Sequence, residues 1–249
     1  MLNVFKRRLQ AVSISESADS PPPSFQANEK AGSSEATRGR ILDTAIRLFR
    51  ESGFDETTMR EIANEAGLSL GLAYYYFPSK EALVMAYYEH VQREHSIIAR
   101  EKLPLARSLR DRLAMLLQTK LDTLKDDRKL LGALFRYTGN PEHPLSFLGN
   151  ATAPLREDCM DLFAEALEPE RLPDDLRELA PPLLWSLHMG VLLYFLYDPE
   201  PNFQQTRRLV DGSVKLAVGV LALAKLPLLR PARRSLIALL REARLIRQK

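Results

Sequence analysis

Apolar residues recur along most of the chain at helical spacing, and no segment alternates apolar and polar positions long enough to suggest a strand. Ile41, Ala45, Leu48 and Phe49 fall at i, i+4, i+7 and i+8, one face of an amphipathic helix opening near Thr37. Gly53 ends it, being free to take the left-handed conformation that follows a helix. Thr58-Met59-Arg60-Glu61 is a capping box that opens a second helix, closed by Gly67. Ser69 caps a short third helix that runs through Phe77. Pro78 stops it, and Ser79 caps a fourth carrying Leu83, Ala86, Tyr87 and Val91.

Beyond Pro104 the period stays helical. Leu109, Leu113, Leu116, Leu117, Leu121 and Leu124 trace one apolar face. A shorter helix spans 128–137, and a Pro- and Gly-containing loop spans 139–154. Helices are expected over 155–167 and 174–180, then a further one with Pro181 and Pro182 in its first turn that ends at Tyr197. Two more cover 204–225 and 231–248, the last strongly basic. The predicted fold class is all-α. Residues 11–36, rich in Ser, Pro, Ala and Glu and without apolar period, predict a disordered tail. The expected organisation is a tail over 1–36, a small helical headpiece over 37–83, a larger helical domain over 84–230 and a basic amphipathic helix over 231–249.

Charge changes this picture in one respect. The net +3 conceals eight basic residues and one acidic residue in 225–249, whereas 37–95 carry seven basic and nine acidic. A search for a basic domain would therefore pass over the headpiece. Cys159 is the one cysteine, which excludes an internal disulfide and a Cys-rich zinc site and suits a reducing compartment. The opening MLNVFKRRLQ lacks the order of a secretory signal. The most apolar stretch, 183–197, is short for a bilayer and contains His188. The expectation is a protein with no membrane span that works in the cytoplasm.

Residues 58–77, TMREIANEAGLSLGLAYYYF, carry the functional signal. Two helices that cross steeply need a small residue where they touch, here Ala63, and a positive-φ turn four residues later, here Gly67. Ile62, Leu68 and Ala73 are then expected to point inward against Leu48 and Phe49. The run TMREIANEAGLSLGLAYYYFPSKEAL closely resembles the signature of TetR-family transcriptional regulators, with its T-x-x-x-I-A, A-G-[VL]-S-x-G, L-Y-x-[YH]-F and K-E-A-L elements. The likeness extends from Arg38 to Leu83.

That resemblance implies a three-helix helix-turn-helix DNA-binding domain followed by a larger helical ligand-binding and dimerisation domain. It also implies DNA contacts at matching positions. Thr58 would cap the second helix with its positive end toward a phosphate, and Arg60 would reach a guanine edge or a phosphate. Ser69, Leu70, Gly71, Tyr74 and Tyr75 would form the groove-facing side of the third helix. The Tyr74 hydroxyl and Lys80 would clamp phosphates. Apart from the resemblance, Arg38 and Arg40 precede the first helix and could reach phosphates or a minor groove, or form a solvated helix start. Leu70, Leu72 and Ala73 depart from residues common in relatives, and Leu72 is expected in the core or at the helix edge.

The dimer has a physical motive: one short recognition helix covers too few base pairs, and two related by a dyad cover a palindromic operator. The family implies pairing through the last two long helices, with Trp185, Val191, Phe195, Leu209, Leu216 and Val220 as interface candidates. Leu117, Leu121, Phe135, Phe147, Phe163, Trp185 and His188 are candidates to line a pocket for a small hydrophobic effector; plain core is the competing assignment for each. The expected function is a repressor released from double-stranded DNA by that effector. The alternatives are a regulator without effector, or a helical adaptor or enzyme with a relic headpiece. No G-x-S-x-G, H-E-x-x-H or phosphate-cradling Gly loop is present, so no catalytic residue, metal or cofactor is expected. His90 and Glu94 share a helix face, but two ligands do not make a metal site. The basic C-terminal helix has three readings: packing on the larger domain, contact with DNA or acidic lipid, or binding of another protein.

Overall fold

A computed structural model of the chain describes residues 23–243. Ten α-helices are found among them: α1 (Pro23–Glu51), α2 (Met59–Glu65), α3 (Leu70–Tyr76), α4 (Lys80–Lys102), α5 (Leu109–Leu124), α6 (Arg128–Thr138), α7 (Ala153–Leu167), α8 (Asp174–Tyr197), α9 (Gln204–Ala224) and α10 (Arg230–Glu242). Short 3-10 turns precede α5, α6, α9 and α10, and no strand occurs among the described residues. The segments 1–22 and 244–249, including MLNVFKRRLQ and the end of the expected last helix, lie outside the described residues.

The chain divides after Gly39 into two compact units. In the first, α1 begins at Pro23 and not near Thr37, so the later part of the expected disordered tail is helical. Pro is suited to the first helical position, and the Ala, Glu, Gln and Lys that follow are good helix formers. Exposure at 33–36 explains why no apolar period marked this stretch.

In the second unit, α1 to α3 close on Ile41, Ala45, Phe49, Ile62, Ala73 and Phe77, all buried. Phe54 joins them edge-on to Phe49 at 5.2 Å. The larger core is built from Leu113, Leu116, Leu121, Leu130, Leu134, Leu145, Leu162 and Phe195. Charged side chains fix how its helices lie: Arg112 of α5 donates to the Ala166 carbonyl at 2.7 Å and pairs with Glu170 at 2.8 Å. Arg100 of α4 meets Glu165 of α7 at 2.8 Å, and Arg207 of α9 meets Asp122 of α5 at 2.6 Å.

One element departs from its expected form. The segments 174–180 and 181–197 form the single 24-residue helix α8, with Pro181 and Pro182 inside it. Two prolines withdraw the amide donors owed to the carbonyls of Arg177 and Glu178. Arg177 is exposed and Glu178 half-buried, so water can serve that side of the helix. At this length α8 is long and apolar enough to cross a membrane, contrary to expectation; here it packs against α6, α7, α9 and α10. Among the competing placements of the basic C-terminal helix, packing is the one observed. Ile237 is buried, Arg233 pairs with Asp175 of α8 at 2.8 Å and donates to the carbonyls of Ala224 and Leu226, and Arg241 pairs with Glu178.

Candidate nucleic-acid interface and ligand cavity

The turn between α2 and α3 follows the sequence logic closely. Thr58 Oγ1 accepts from the Glu61 amide at 3.2 Å, and the Glu61 carboxylate accepts from the Thr58 amide at 2.8 Å, completing the capping box. The Thr58 amide, the largest cause, and the Thr58 hydroxyl, which donates to the same carboxylate at 3.0 Å, hold the Glu61 carboxyl below its ordinary range. Gly67 takes φ +66°, a conformation that a side chain would strain, and the Leu68 amide returns to the Ala63 carbonyl at 2.9 Å. Ser69 then caps α3 by accepting from the Leu72 amide. The helix is held by Ala73, which is fully buried.

What remains outside is a small exposed face: Ser69, Gly71, Leu72, Tyr74 and Tyr75, the last 79% exposed and edge-on to Tyr76. Arg60 is exposed on the first turn of α2. A Cβ placed on Gly71 would meet nothing in the chain, so packing does not require the glycine. Leu70 and Leu72 are exchanged relative to expectation. Leu70 is half-buried because it shares the i, i+3, i+7 face with Ala73 and Phe77, and Leu72 turns outward. Arg38 sits partly buried on α1.

Lys80 has an additional engagement that spacing did not reveal. Its ammonium donates to the carbonyls of Phe54 at 2.6 Å and Asp55 at 3.1 Å and lies 4.6 Å over the Phe54 ring. An ammonium has three donors, so this leaves one for a phosphate. Asp55, in the same turn, accepts from Tyr137 and pairs with Arg136, both on α6. A second tie joins Arg50 of α1 to the buried Asp127 at 2.5 Å, and Tyr87 of α4 donates to the other oxygen of that carboxylate at 2.6 Å. Burial and this bond push the Tyr87 phenol far up from its ordinary value, while Asp127 strengthens the protonation of Arg50.

The larger domain holds a cavity of about 210 Å³ bounded by α4, α5, α6, α7, α8 and the 139–152 loop. Of the residues named as pocket candidates, Phe135, Phe147, Trp185 and His188 line it. Leu117, Leu121 and Phe163 do not; they are 3, 0 and 3% exposed in the surrounding core, where Phe163 backs the His188 ring edge-on at 6.0 Å. Phe195, expected at an interface, is instead fully buried and lines the cavity. Val191 is only 2% exposed and is likewise core. Both lie on the inner side of α8, which an apolar-all-round sequence could not distinguish from its outer side.

Of the polar groups in this cavity, only His188 was among the sequence candidates. Lys120 and Gln92 line it, with Lys120 Nζ donating to Gln92 Oε1 at 2.9 Å and Gln92 Nε2 to Ser96 at 3.3 Å. Burial pushes the Lys120 ammonium down to about 8. Cys159 Sγ lies 3.3 Å from His188 Nδ1, with the thiol pushed up to about 11 by burial and the ring held well below its ordinary value. Arg156 donates to the Phe147 carbonyl at 2.8 Å and lies over the Trp185 ring. A signal for Lys120 was present: it sits four residues after Leu116 and four before Leu124, on the apolar face of α5. Among the described residues no group of three or more His, Cys, Asp or Glu is placed to hold a metal, and His90 and Glu94 are both exposed.

On α9, Leu209, Gly212, Leu216, Gly219, Val220 and Leu223 form one stripe at helical spacing, with Leu216, Val220 and Leu223 at 69, 56 and 63% exposure. Leu183, Leu193, Tyr194 and Tyr197 of α8 are also exposed. Trp185 is half-buried and faces the cavity.

A capped helix-turn-helix with an exposed second helix, set ahead of an all-helical domain, defines a helix-turn-helix DNA-binding regulator. Comparison with known proteins makes this specific. The signature described as "Bacterial regulatory proteins, tetR family" matches residues 41–87, and "Tetracyclin repressor-like, C-terminal domain" matches 112–233, together more than half of the chain. The chain belongs to the TetR family of transcriptional regulators. Among curated relatives, the HTH-type transcriptional repressor KstR2 of Rhodococcus jostii is 42% identical over 64 residues, 26% of this chain and 29% of that protein. The HTH-type transcriptional regulator YerO of Bacillus subtilis is 51% identical over 51 residues, 20% of this chain and 18% of that protein. The aligned stretch thus spans less than a third of either relative. A TetR regulator from Nitrosomonas europaea shares the fold with a TM-score of 0.58 at 20% identity, covering 73% of this chain and 97% of that one. The fatty acid degradation regulator FadR of Bacillus halodurans does so with a TM-score of 0.55 at 18% identity, covering 71 and 96%.

Proposed function

We propose that the protein is a cytoplasmic repressor that binds a palindromic double-stranded DNA operator as a homodimer and is released by a small hydrophobic ligand. One observation carries the reading. α6 borders the cavity with Leu131, Phe135 and Thr138, while Arg136 and Tyr137 of the same helix hold Asp55 in the headpiece turn. A ligand that displaces α6 therefore acts on the element that orients α2 and α3, and it releases DNA to the extent that it favours the displaced state. Binding of DNA is assigned to Arg60, Ser69, Gly71, Tyr74 and Tyr75, with Thr58, Lys80 and Arg38 toward the phosphates and Leu70 supporting the helix from behind. Dimerisation is assigned to the exposed stripe of α9 with the outer face of α8; Leu209, Leu216 and Val220 keep this role.

The test is selection of genomic fragments by the purified full chain, followed by displacement from the recovered duplex with a panel of lipophilic compounds. Recovery of an inverted repeat whose complex is dissociated by one compound class supports the reading. An inverted repeat that no compound dissociates would leave a regulator without effector, and fragments sharing no motif would overturn the operator itself.

A further inference from the structure

We propose that the ligand of the cavity is a compact monocarboxylate with an apolar body, its carboxylate bound by the ammonium of Lys120 and the imidazole of His188. This rests on the reading of the cavity as the effector site and names what that site takes.

Lys120 is 6% exposed and makes no ion pair with a carboxylate among the described residues; Glu94 acts on its charge only from a longer distance. Gln92 takes one of its three donors. A buried ammonium with a single neutral acceptor is an unfavourable arrangement that an anion would relieve. The cavity wall contains no Asp or Glu; its two cations are Lys120 and Arg156, and Arg156 Nη1 donates to the Phe147 carbonyl with the guanidinium over the Trp185 ring, so both cations favour an anion here.

His188 supplies the second group. Its Nε2 is buried with no hydrogen-bond partner in the chain, while Nδ1 faces the Cys159 thiol at 3.3 Å. With the thiol donating to Nδ1, the neutral ring carries its proton on Nε2, leaving a donor without an acceptor. The ammonium is close enough to bias the titration of both Cys159 and His188. The remaining donors of the ammonium and the His188 Nε2 donor match the two oxygens of a carboxylate, and a lipophilic cation would meet only uncompensated positive charge.

The remaining wall, including Leu124, Leu131, Phe135, Trp185 and Leu192, is apolar. A cavity of about 150 Å³ holds benzene, so about 210 Å³ is the scale of an aryl carboxylate or a medium-chain alkanoate.

Calorimetry of the full chain with length-matched probes tests this: octanoate, octanol and octylamine, with phenylacetate and 2-phenylethanol as the aryl pair. The carboxylates are expected to bind about 30-fold or more tightly than the alcohols, in line with the loss on removing one partner of a buried charged bond, and octylamine not at all. Lys120→Met should abolish the preference for carboxylate and still bind octanol, which shows that the variant is folded with its cavity intact. His188→Phe should weaken octanoate more than octanol. Equal affinity for acid and alcohol, or an undiminished preference in Lys120→Met, would overturn the proposal while leaving the effector site standing. Binding of none of the five probes would overturn it together with the effector site, and operator binding, measured separately, would be untouched.

Discussion

Lys120 holds a charge in a largely buried position, and this sets stability as well as ligand choice. Its ammonium is pushed down to about 8 from 10.5, so between those values the unfolded chain holds a proton that the folded protein has released. Stability therefore rises with pH across that window, and the penalty of the buried charge is fully present below it. Cys159, pushed up from 9.0 to about 11, and the buried phenols of Tyr87 and Tyr88 act in the opposite direction at the alkaline end. The difference between wild type and Lys120→Met isolates the lysine. At pH 7 the variant should be more stable by about 1–3 kcal/mol, which at about 2–4 °C per kcal/mol is a readily measured rise in Tm. That gap should close as pH rises through the window. Thermal denaturation of both proteins over a pH series checks it, and a variant less stable than wild type at pH 7 would mean that the ammonium is already compensated. Residues of this kind are hard to see in a sequence. The Thr58–Glu61 box acts across three positions and is legible in four letters, whereas a lone lysine among leucines reads as a solvated side chain until the helices that cover it are known.

At the scale of elements, α6 is the part whose role depends on distant partners. Its amphipathic pattern was plain, but Asp55 lies 82 residues before Tyr137, and nothing local announces that pairing. Asp55→Asn removes the charge that Arg136 meets while sparing α3, so operator affinity should stay within about threefold of wild type. The concentration of effector needed for half-release should rise several-fold. Anisotropy titrations of a labelled operator complex with ligand measure both, and release at an unchanged ligand concentration would show that α6 does not transmit the signal through Asp55. α8 shows a different limit. Pro181 and Pro182 favour a helix start by local rules, and packing of α8 against its neighbouring helices overrides them. The apolar pattern gave the existence of α8 and α9 but not which faces look inward; hence Phe195 and Val191 are core, while Leu216 and Val220 remain exposed.

For the whole molecule, the stripe on α9 and the modest charge of the headpiece bear on how DNA is held. Leu216→Glu places a charge at the centre of the proposed dimer face, where leucine is 69% exposed in the single chain and contributes little to folding. The variant should run as a monomer by light scattering with an unaltered melting profile, and its operator affinity should fall by a hundredfold or more, estimated as about 3 kcal/mol for loss of one half-site's contribution. A dimer that persists would move the interface elsewhere. Seven basic residues against nine acidic in 37–95 mean that attraction to DNA rests on a few placed groups and helix ends, so affinity should fall with salt less steeply than for a strongly basic binder.

Sequence-specific DNA binding by the exposed face of α3 is tested by fluorescence anisotropy of the full chain on the duplex recovered by genomic selection, against a scrambled duplex, at several salt concentrations, with Tyr74→Phe/Tyr75→Ala alongside. These two side chains are 47 and 79% exposed, so the variant tests contact with DNA and leaves the fold alone. A preference of about a thousandfold or more for the selected duplex is expected, with a loss of at least about tenfold in the variant on that duplex alone. Equal affinity for selected and scrambled DNA, or indifference to the two tyrosines, would contradict it.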